Sequence, residues 1–250
     1  MRQEKGIGIS RRAQNVRLLT GGKKRCKILM DFLSKAETKK LFHDVGAVCF
    51  DMVFVERGVS VEKGVCVYPF NVVCAGTVLK ENCVLYPFNF LTHCVVEKNA
   101  VVSGSTLTDS RVGAGTTVGP YAHVKESTVG KDCRIGNFVE VKKSALGNGT
   151  KAAHLSYVGD AQLGNRVNVG CGVVFANYDG NDKHLSIVGD GCLVGCNCNF
   201  VAPIRLGERC FVAAGTTLTE SLPSETFAVG RPQTKRKKNR FSKRTKDEQG

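Results

Sequence analysis

At 250 residues, 42% of them hydrophobic, the chain is long enough for one large domain or two small ones, and no run approaches the ~20 apolar residues of a membrane span. Its formal charge of +14 is uneven: residues 1–40 hold 12 Lys/Arg against 3 Asp/Glu, residues 231–250 hold 9 against 2, and the middle is left with 15 against 17. A nearly neutral body argues against a nucleic-acid-binding fold, which would carry its basic charge on the folded face; cationic ends read as solvated tails or as phosphate contacts.

Residues 1–25 are polar, basic and dotted with glycine, and read as a flexible N-terminus without the apolar core of a signal peptide. Residues 26–45 follow as a short helical cap: Ile28, Leu29, Phe32, Leu33, Leu41 and Phe42 fall at helical spacings. An open solenoid end needs such a cover.

A six-residue beat occupies the rest, within a domain read as 46–230, with a basic tail over 231–250. Aliphatics stand at Val61, Val67, Val73, Leu79, Leu85 and Leu91. After a slip near Val96 and a looser SGSTLTDS segment they return at Val112, Val118 and Val124, with one-residue slips at Val129 and Leu146 and a last run from Val188 to Leu218. Gly often follows, as in Val112-Gly113 and Leu206-Gly207, where it is expected to supply unusual corner angles. Neither a helix nor a hairpin has a period of six. A triangular coil does, with three short faces per turn of roughly 18 residues and parallel pairing between turns; the pattern predicts about nine such coils.

The twelve cysteines do not read as a disulfide framework. Cys66, Cys83, Cys133, Cys192 and Cys210 fall at repeat positions expected to be small and buried, a usage suited to the cytoplasm. Cys196 and Cys198 form a C-x-C with Cys192 four residues earlier, but no second pair completes a metal set. No metal is expected.

The beat breaks around His154 and again after Tyr178. Regular repeats are scaffold, so chemistry is sought at the breaks. The first is expected to bulge and present His154, the side chain suited to proton removal near neutrality. Tyr157, Asn168 and Asn177 accompany it, and Lys142 and Lys183 on flanking coils suggest an anionic substrate. A lone histidine is more often a hydrogen-bonded surface residue, and only the company it keeps raises the functional reading.

The segments GNFVEVKK, KAAHLSYVGDAQLGNRVNVGCG, NYDGNDKH and FVAPIRLGERCFVAAGTT resemble the carboxy-terminal acetyltransferase domain of the bacterial bifunctional N-acetylglucosamine-1-phosphate uridyltransferase/glucosamine-1-phosphate N-acetyltransferase, one of the hexapeptide-repeat acyltransferases. The resemblance spans roughly residues 45–233. It implies an all-β fold, a single-chain left-handed parallel β-helix, and transfer of acetyl from acetyl-CoA to the amine of glucosamine 1-phosphate by direct attack. It implies His154 as general base with Glu140 orienting its imidazole. Lys125, Lys142, Tyr157, Asn168, Asn177, Tyr178 and Lys183 are implied to bind the sugar phosphate, and Cys171, Cys196, Ala214 and Arg231 to bind acetyl-CoA. It implies a cytoplasmic homotrimer whose sites are shared between copies. Lys125 replaces an arginine of the family, and Cys171 and Cys196 replace its Ala and Ser. The uridyltransferase half has no counterpart in residues 1–45, so that activity is not expected; whether a separate uridyltransferase works alongside is open. The alternatives are an acyltransferase for another amino-sugar phosphate, or a scaffold that has lost catalysis.

Overall fold

The computed structural model describes residues 31–230 and 232–237. Thirty strands of two to four residues succeed one another from Val48 to Ala228 and join three parallel sheets of 11, 10 and 9 strands. Through Thr217–Leu218 every third strand belongs to the same sheet, so each turn of chain contributes one strand to each face of a triangular prism; in the last turn the third face has only the bridge of Leu222 to Leu206 before Phe227–Ala228 rejoins the first sheet. The first sheet runs from Val48–Cys49 to Phe227–Ala228, the second from Phe54–Val55 to Thr217–Leu218, and the third from Ser60–Val61 to Ile204–Leu206. The fold is a left-handed parallel β-helix.

The beat becomes a core because alternate side chains of a strand point to opposite faces. The aliphatics at Val61, Leu79, Leu91, Val112, Val124, Ile135, Val158, Val194 and Leu206 are all buried. Phe175 and Phe200, both fully buried, stack with ring centroids 4.8 Å apart. Thr116, Ala122 and Thr216, four residues after an aliphatic, are buried as well.

The slips in the beat are changes of coil length. Val48 pairs with Cys66 across the longest of the regular coils, Arg134 with Lys151 across a shorter one, and Phe90 with Thr106 across a shorter one still. Shorter coils, and a first coil that begins already at Val48, give more turns than the nine expected. The loose SGSTLTDS segment is thus an ordinary strand, Thr106–Thr108, with Leu107 buried. Only one coil is markedly longer: Asn168 pairs with Leu193, because 177–185 loop out between them.

Two expectations are corrected here. There is no bulge at His154: Lys151–His154 is a strand in register with Arg134–Asn137, and Asn137 pairs with His154. The irregularity in the sequence there reflects a corner of unusual composition. The corner glycines also work differently. Gly113, Gly130, Gly147, Gly164, Gly189 and Gly207 stack between the third and first sheets, and of the cited pairs Gly113 and Gly207 have no positive φ. A Cβ at Gly147 would come within 2.5 Å of the Gly164 backbone, so what these sites require is close approach of successive coils.

The helix, Lys35–His43, starts later than the apolar spacing suggested. Ser34 and Glu37 form a capping box, and Glu37 also binds Arg57 at 2.8 Å, which fixes the start. Phe32 lies in an extended stretch and bridges to Glu56, while Phe42 seals the first coil at 1% exposure. The expectation for Ile28 and Leu29 lies outside the described residues. No helix among the described residues is long and apolar enough to cross a membrane.

Candidate functional site

At the corner between the first and second sheets, each coil places one residue outside the core. His154 ends a first-sheet strand and faces solvent. On the next coil Cys171 occupies the same place; Gly172 N–H donates to the Leu155 carbonyl at 3.0 Å, tying the two coils there. Cys196 and Ala214 follow on the next two coils, joined by Asn197 N–H to Cys171 O and Gly215 N–H to Cys196 O, each 2.8 Å. Stacked strands lie about 4.8 Å apart, so the column from His154 to Ala214 runs roughly 14 Å along the prism axis. It is lined by small side chains with Gly170, Gly172, Gly195 and Gly215 beside them. A Cβ at Gly170 or Gly195 would meet the next coil's backbone nitrogen at 2.7 and 2.5 Å, so the floor of this corner is backbone. Arg231, expected at its far end, lies outside the described residues.

The outer face of the second sheet borders that corner. Its strands pair in register through His123↔Glu140↔Tyr157 and Lys125↔Lys142↔Gly159. Between these columns Val124, Val141 and Val158 point into the core. Two ammonium groups therefore stand on neighbouring coils. Lys125 is 3.6 Å from Glu126, which offsets part of its charge; Lys142 has no ion pair among the described residues. Gly159 leaves room that Tyr157 fills, since a Cβ there would lie 2.4 Å from the Tyr157 hydroxyl.

Asn177, 7% exposed, closes the far end of this face: its amide donates to the Asp160 carboxylate and lies 3.5 Å from the Tyr157 hydroxyl. The long loop starts there. Tyr178 bridges antiparallel to Lys183, and His184 N–H donates to Asn177 O at 2.7 Å. Asp179 accepts the Asn181 and Asp182 N–H groups, both at 2.8 Å, and meets His184 Nε2 at 2.6 Å. The His184 contact and these amides hold the Asp179 carboxyl far below the usual range. The loop is thus a tied hairpin carrying Lys183 outward.

The structure brings His154, Cys171, Cys196 and Ala214 into one column and Lys125, Lys142, Glu140 and Tyr157 onto the adjoining face. It does not pair Glu140 with His154: the nearest charged partner of Glu140 is His123, at 4.0 Å. Asn168 lies apart, at the start of a first-sheet strand between Lys151 and Leu193. Asp160, His123 and the Asp179–His184 pair were missed by sequence reasoning. Asp160 has a local sign, the Gly-Asp turn dipeptide after a repeat valine, whereas His123 becomes visible only once successive coils are aligned in register.

A repeat pattern described as "Hexapeptide repeat of succinyl-transferase" matches residues 186–220. The chain is 42% identical over 182 residues to the bifunctional protein GlmU of Clostridium acetobutylicum, covering 72% of this chain and 40% of that protein. It is 42% identical over 179 residues to the protein of the same name from an Exiguobacterium strain, with 71% and 40% covered. The chain therefore spans about two fifths of the length of the curated relatives it matches, and the part it matches is the carboxy-terminal acetyltransferase region. Among solved structures, a Francisella novicida UDP-N-acetylglucosamine acyltransferase aligns with a TM-score of 0.51 at 13% identity, covering 72% of this chain and 66% of that one. An Arabidopsis UDP-N-acetylglucosamine acyltransferase aligns at 0.50 and 16%, with 73% and 71% covered. At these identities the likeness is one of fold.

Proposed function

From a hexapeptide-repeat β-helix that matches the acetyltransferase region of GlmU, we propose that the chain is an acetyl-CoA-dependent N-acetyltransferase whose acceptor is glucosamine 1-phosphate. The observation that carries this reading is the column His154–Cys171–Cys196–Ala214. A strip of small side chains floored by backbone suits the extended, flexible arm of a thioester donor, and a histidine stands at one end of it. Backbone N–H groups along such a floor are donors for the oxyanion that forms when a thioester carbonyl is attacked.

In this reading the acceptor attacks as the neutral amine: its nitrogen lone pair bonds to the thioester carbon while the imidazole of His154 takes one N–H proton. The C–S bond then breaks, and coenzyme A leaves as the thiolate, which takes that proton back from the imidazolium. Lys125 and Lys142 meet the phosphate as point charges, and Lys142 is the stronger of the two because Glu126 offsets Lys125. Tyr157 and Asn177, tied to each other and to Asp160, are a rigid edge for the sugar hydroxyls. In this reading the step calls on no metal and runs in the cytoplasm.

The acceptor set is spread over the first sheet (Asn168), the second sheet, and the loop (Tyr178, Lys183), which is what sites shared between copies of a homotrimer require. An apolar ridge of Met52, Phe70, Phe88, Tyr121, Phe138 and Leu155, interrupted by Gly104 between Phe88 and Tyr121, runs down the same corner to the residue beside His154. A second copy seated on that ridge would meet the site at its end. An acyltransferase for another amino-sugar phosphate is the second reading, favoured by Lys125, whose ammonium lacks the bidentate geometry of a guanidinium.

The test is thiol release from acetyl-CoA with glucosamine 1-phosphate and other amino-sugar phosphates as acceptors, wild type against His154→Ala. Release with glucosamine 1-phosphate that is lost in the variant supports the reading. Release with a different acceptor alone replaces the substrate, and no release with any acceptor overturns the activity.

A further inference from the structure

Cys171 and Cys196 stand in the same place on consecutive coils, and both reach solvent: Cys196 is exposed and Cys171 partly so. The coils are clamped on either side of them, by Gly170 N–H to Val194 O at 2.9 Å and by Asn197 N–H to Cys171 O at 2.8 Å. In-register neighbours in stacked strands are separated by about 4.8 Å, inside the roughly 4.4–6.8 Å between Cα atoms that a disulfide spans. We propose that Cys171 and Cys196 form a thiol–disulfide site in the wall of the donor corner, oxidised by small-molecule disulfides and closing that corner when oxidised. That the corner holds the donor rests on the proposed function; the reactivity of the pair does not.

A second stacked pair shows why the first is selective. Cys192 and Cys210 also lie on consecutive coils, with Cys210 N–H only 3.3 Å from Cys192 Sγ, but each is 1% exposed. Their sulfurs point into the core, where neither a disulfide reagent nor its leaving group can reach, and burial pushes the Cys192 thiol up. The remaining core thiols are screened in the same way, Cys83 up to about 12 and Cys94 up to about 11. Exposure and adjacency coincide at Cys171 and Cys196.

The chemistry needs only the disulfide as oxidant. The Cys196 thiolate attacks one sulfur of glutathione disulfide; that S–S bond breaks and one glutathione leaves as thiolate. The Cys171 thiolate then attacks the Cys196 sulfur of the mixed disulfide and expels the second glutathione. The two protein thiol protons end on the two glutathiones. The protein loses two hydrogens and the reagent gains them. An exposed bond of this kind is readily reduced, which makes the change reversible.

The full-length chain would be incubated natively with glutathione disulfide, with and without coenzyme A, then alkylated and digested without reduction for peptide mass analysis. The expected result is a Cys171–Cys196 linked peptide, reversed by dithiothreitol, with Cys192 and Cys210 alkylated as free thiols. Cys171→Ser should leave a glutathione adduct on Cys196 and no link. A stable adduct on Cys196 beside unreacted Cys171, or oxidation of Cys192–Cys210 before the exposed pair, would overturn the proposal. Coenzyme A should slow the linkage several-fold. Linkage unaffected by coenzyme A leaves the thiol site standing and removes the donor from this corner; no linkage in a protein that binds coenzyme A removes the thiol site alone.

Discussion

One corner of the prism is built in two ways. In the N-terminal coils the place between the first and second sheets carries Met52, Phe70, Phe88, Tyr121 and Phe138, all with positive φ and all exposed, with one gap at Gly104; Phe70 stacks on Phe88 at 5.1 Å and Tyr121 on Phe138 at 5.4 Å. In the C-terminal coils the same place holds Gly172, Asn197 and Gly215, beside Cys171, Cys196 and Ala214. Leu155, next to His154, is the last large residue. The cysteines of this corner are the outward ones: Cys196 is exposed and Cys171 half-exposed, while Cys74, Cys83 and Cys94 of the early coils and Cys192, Cys198 and Cys210 of the late coils are buried, and Cys66 is half-buried where full burial was expected. Side-chain size thus turns one corner from an apolar ridge that another surface can cover into a strip of small side chains over exposed backbone. An exposed apolar patch of the first kind marks a contact surface; the strip of small residues leaves backbone within reach of a ligand.

The largest expected effect lies where the ridge meets the strip of small residues. His154→Ala removes the proposed base and should lower kcat by about 10²–10⁴-fold while leaving thermal stability unchanged, since the side chain faces solvent; steady-state thiol release and a melting curve check both. Next comes Lys142→Ala, which loses a charge-assisted contact worth about 1.5–3 kcal/mol and should raise KM for the sugar phosphate roughly 10- to 100-fold with little change in KM for acetyl-CoA. Ala214→Phe puts a large side chain on the strip of small residues and should raise KM for acetyl-CoA about tenfold with the acceptor KM unmoved. The reverse change, Phe138→Asp, puts charge on the ridge and should shift the oligomer toward monomer in sedimentation, lowering activity only through assembly.

The smallest effect concerns the buried thiols. Burial pushes Cys83 up to about 12 and Cys49 and Cys94 up to about 11, from an ordinary value of 9.0. A raised acid favours the protonated folded state. Its contribution is complete below the unfolded pKa and is lost as pH rises through the folded values, so the melting temperature should fall between about pH 9 and 12. Cys94→Ala should flatten that slope, and a slope unchanged by the variant contradicts it.

Much of the scaffold was legible because a period of six has a single physical solution. Every aliphatic of the beat is buried, and the slips at Val129 and Leu146 translate into shortened coils, with Val112 paired to Val129 and Val129 to Leu146. The interruption after Tyr178 was a true insertion. The one at His154 was not, because a change of corner composition and a change of path look alike in one dimension. The relations between coils, such as Glu140 with His123 or Asn177 with Asp160, required the register. That register changes from coil to coil, from Phe90↔Thr106 to Asn168↔Leu193, and is set by tertiary pairing that no local propensity encodes. Ser34 and Glu37, by contrast, carry the helix start in plain view as S-x-x-E, and the apolar spacing of Phe32 and Leu33 masked it.

Hydrogen exchange with and without coenzyme A tests the central claim most directly. A donor lying along the corner should slow exchange in the segments around 154–156, 171–173, 196–198 and 214–216 on four consecutive coils, and leave the same corner at 70–72 and 88–90 unchanged. Protection elsewhere, or none in a protein that releases thiol, would contradict the assignment of this corner to the donor.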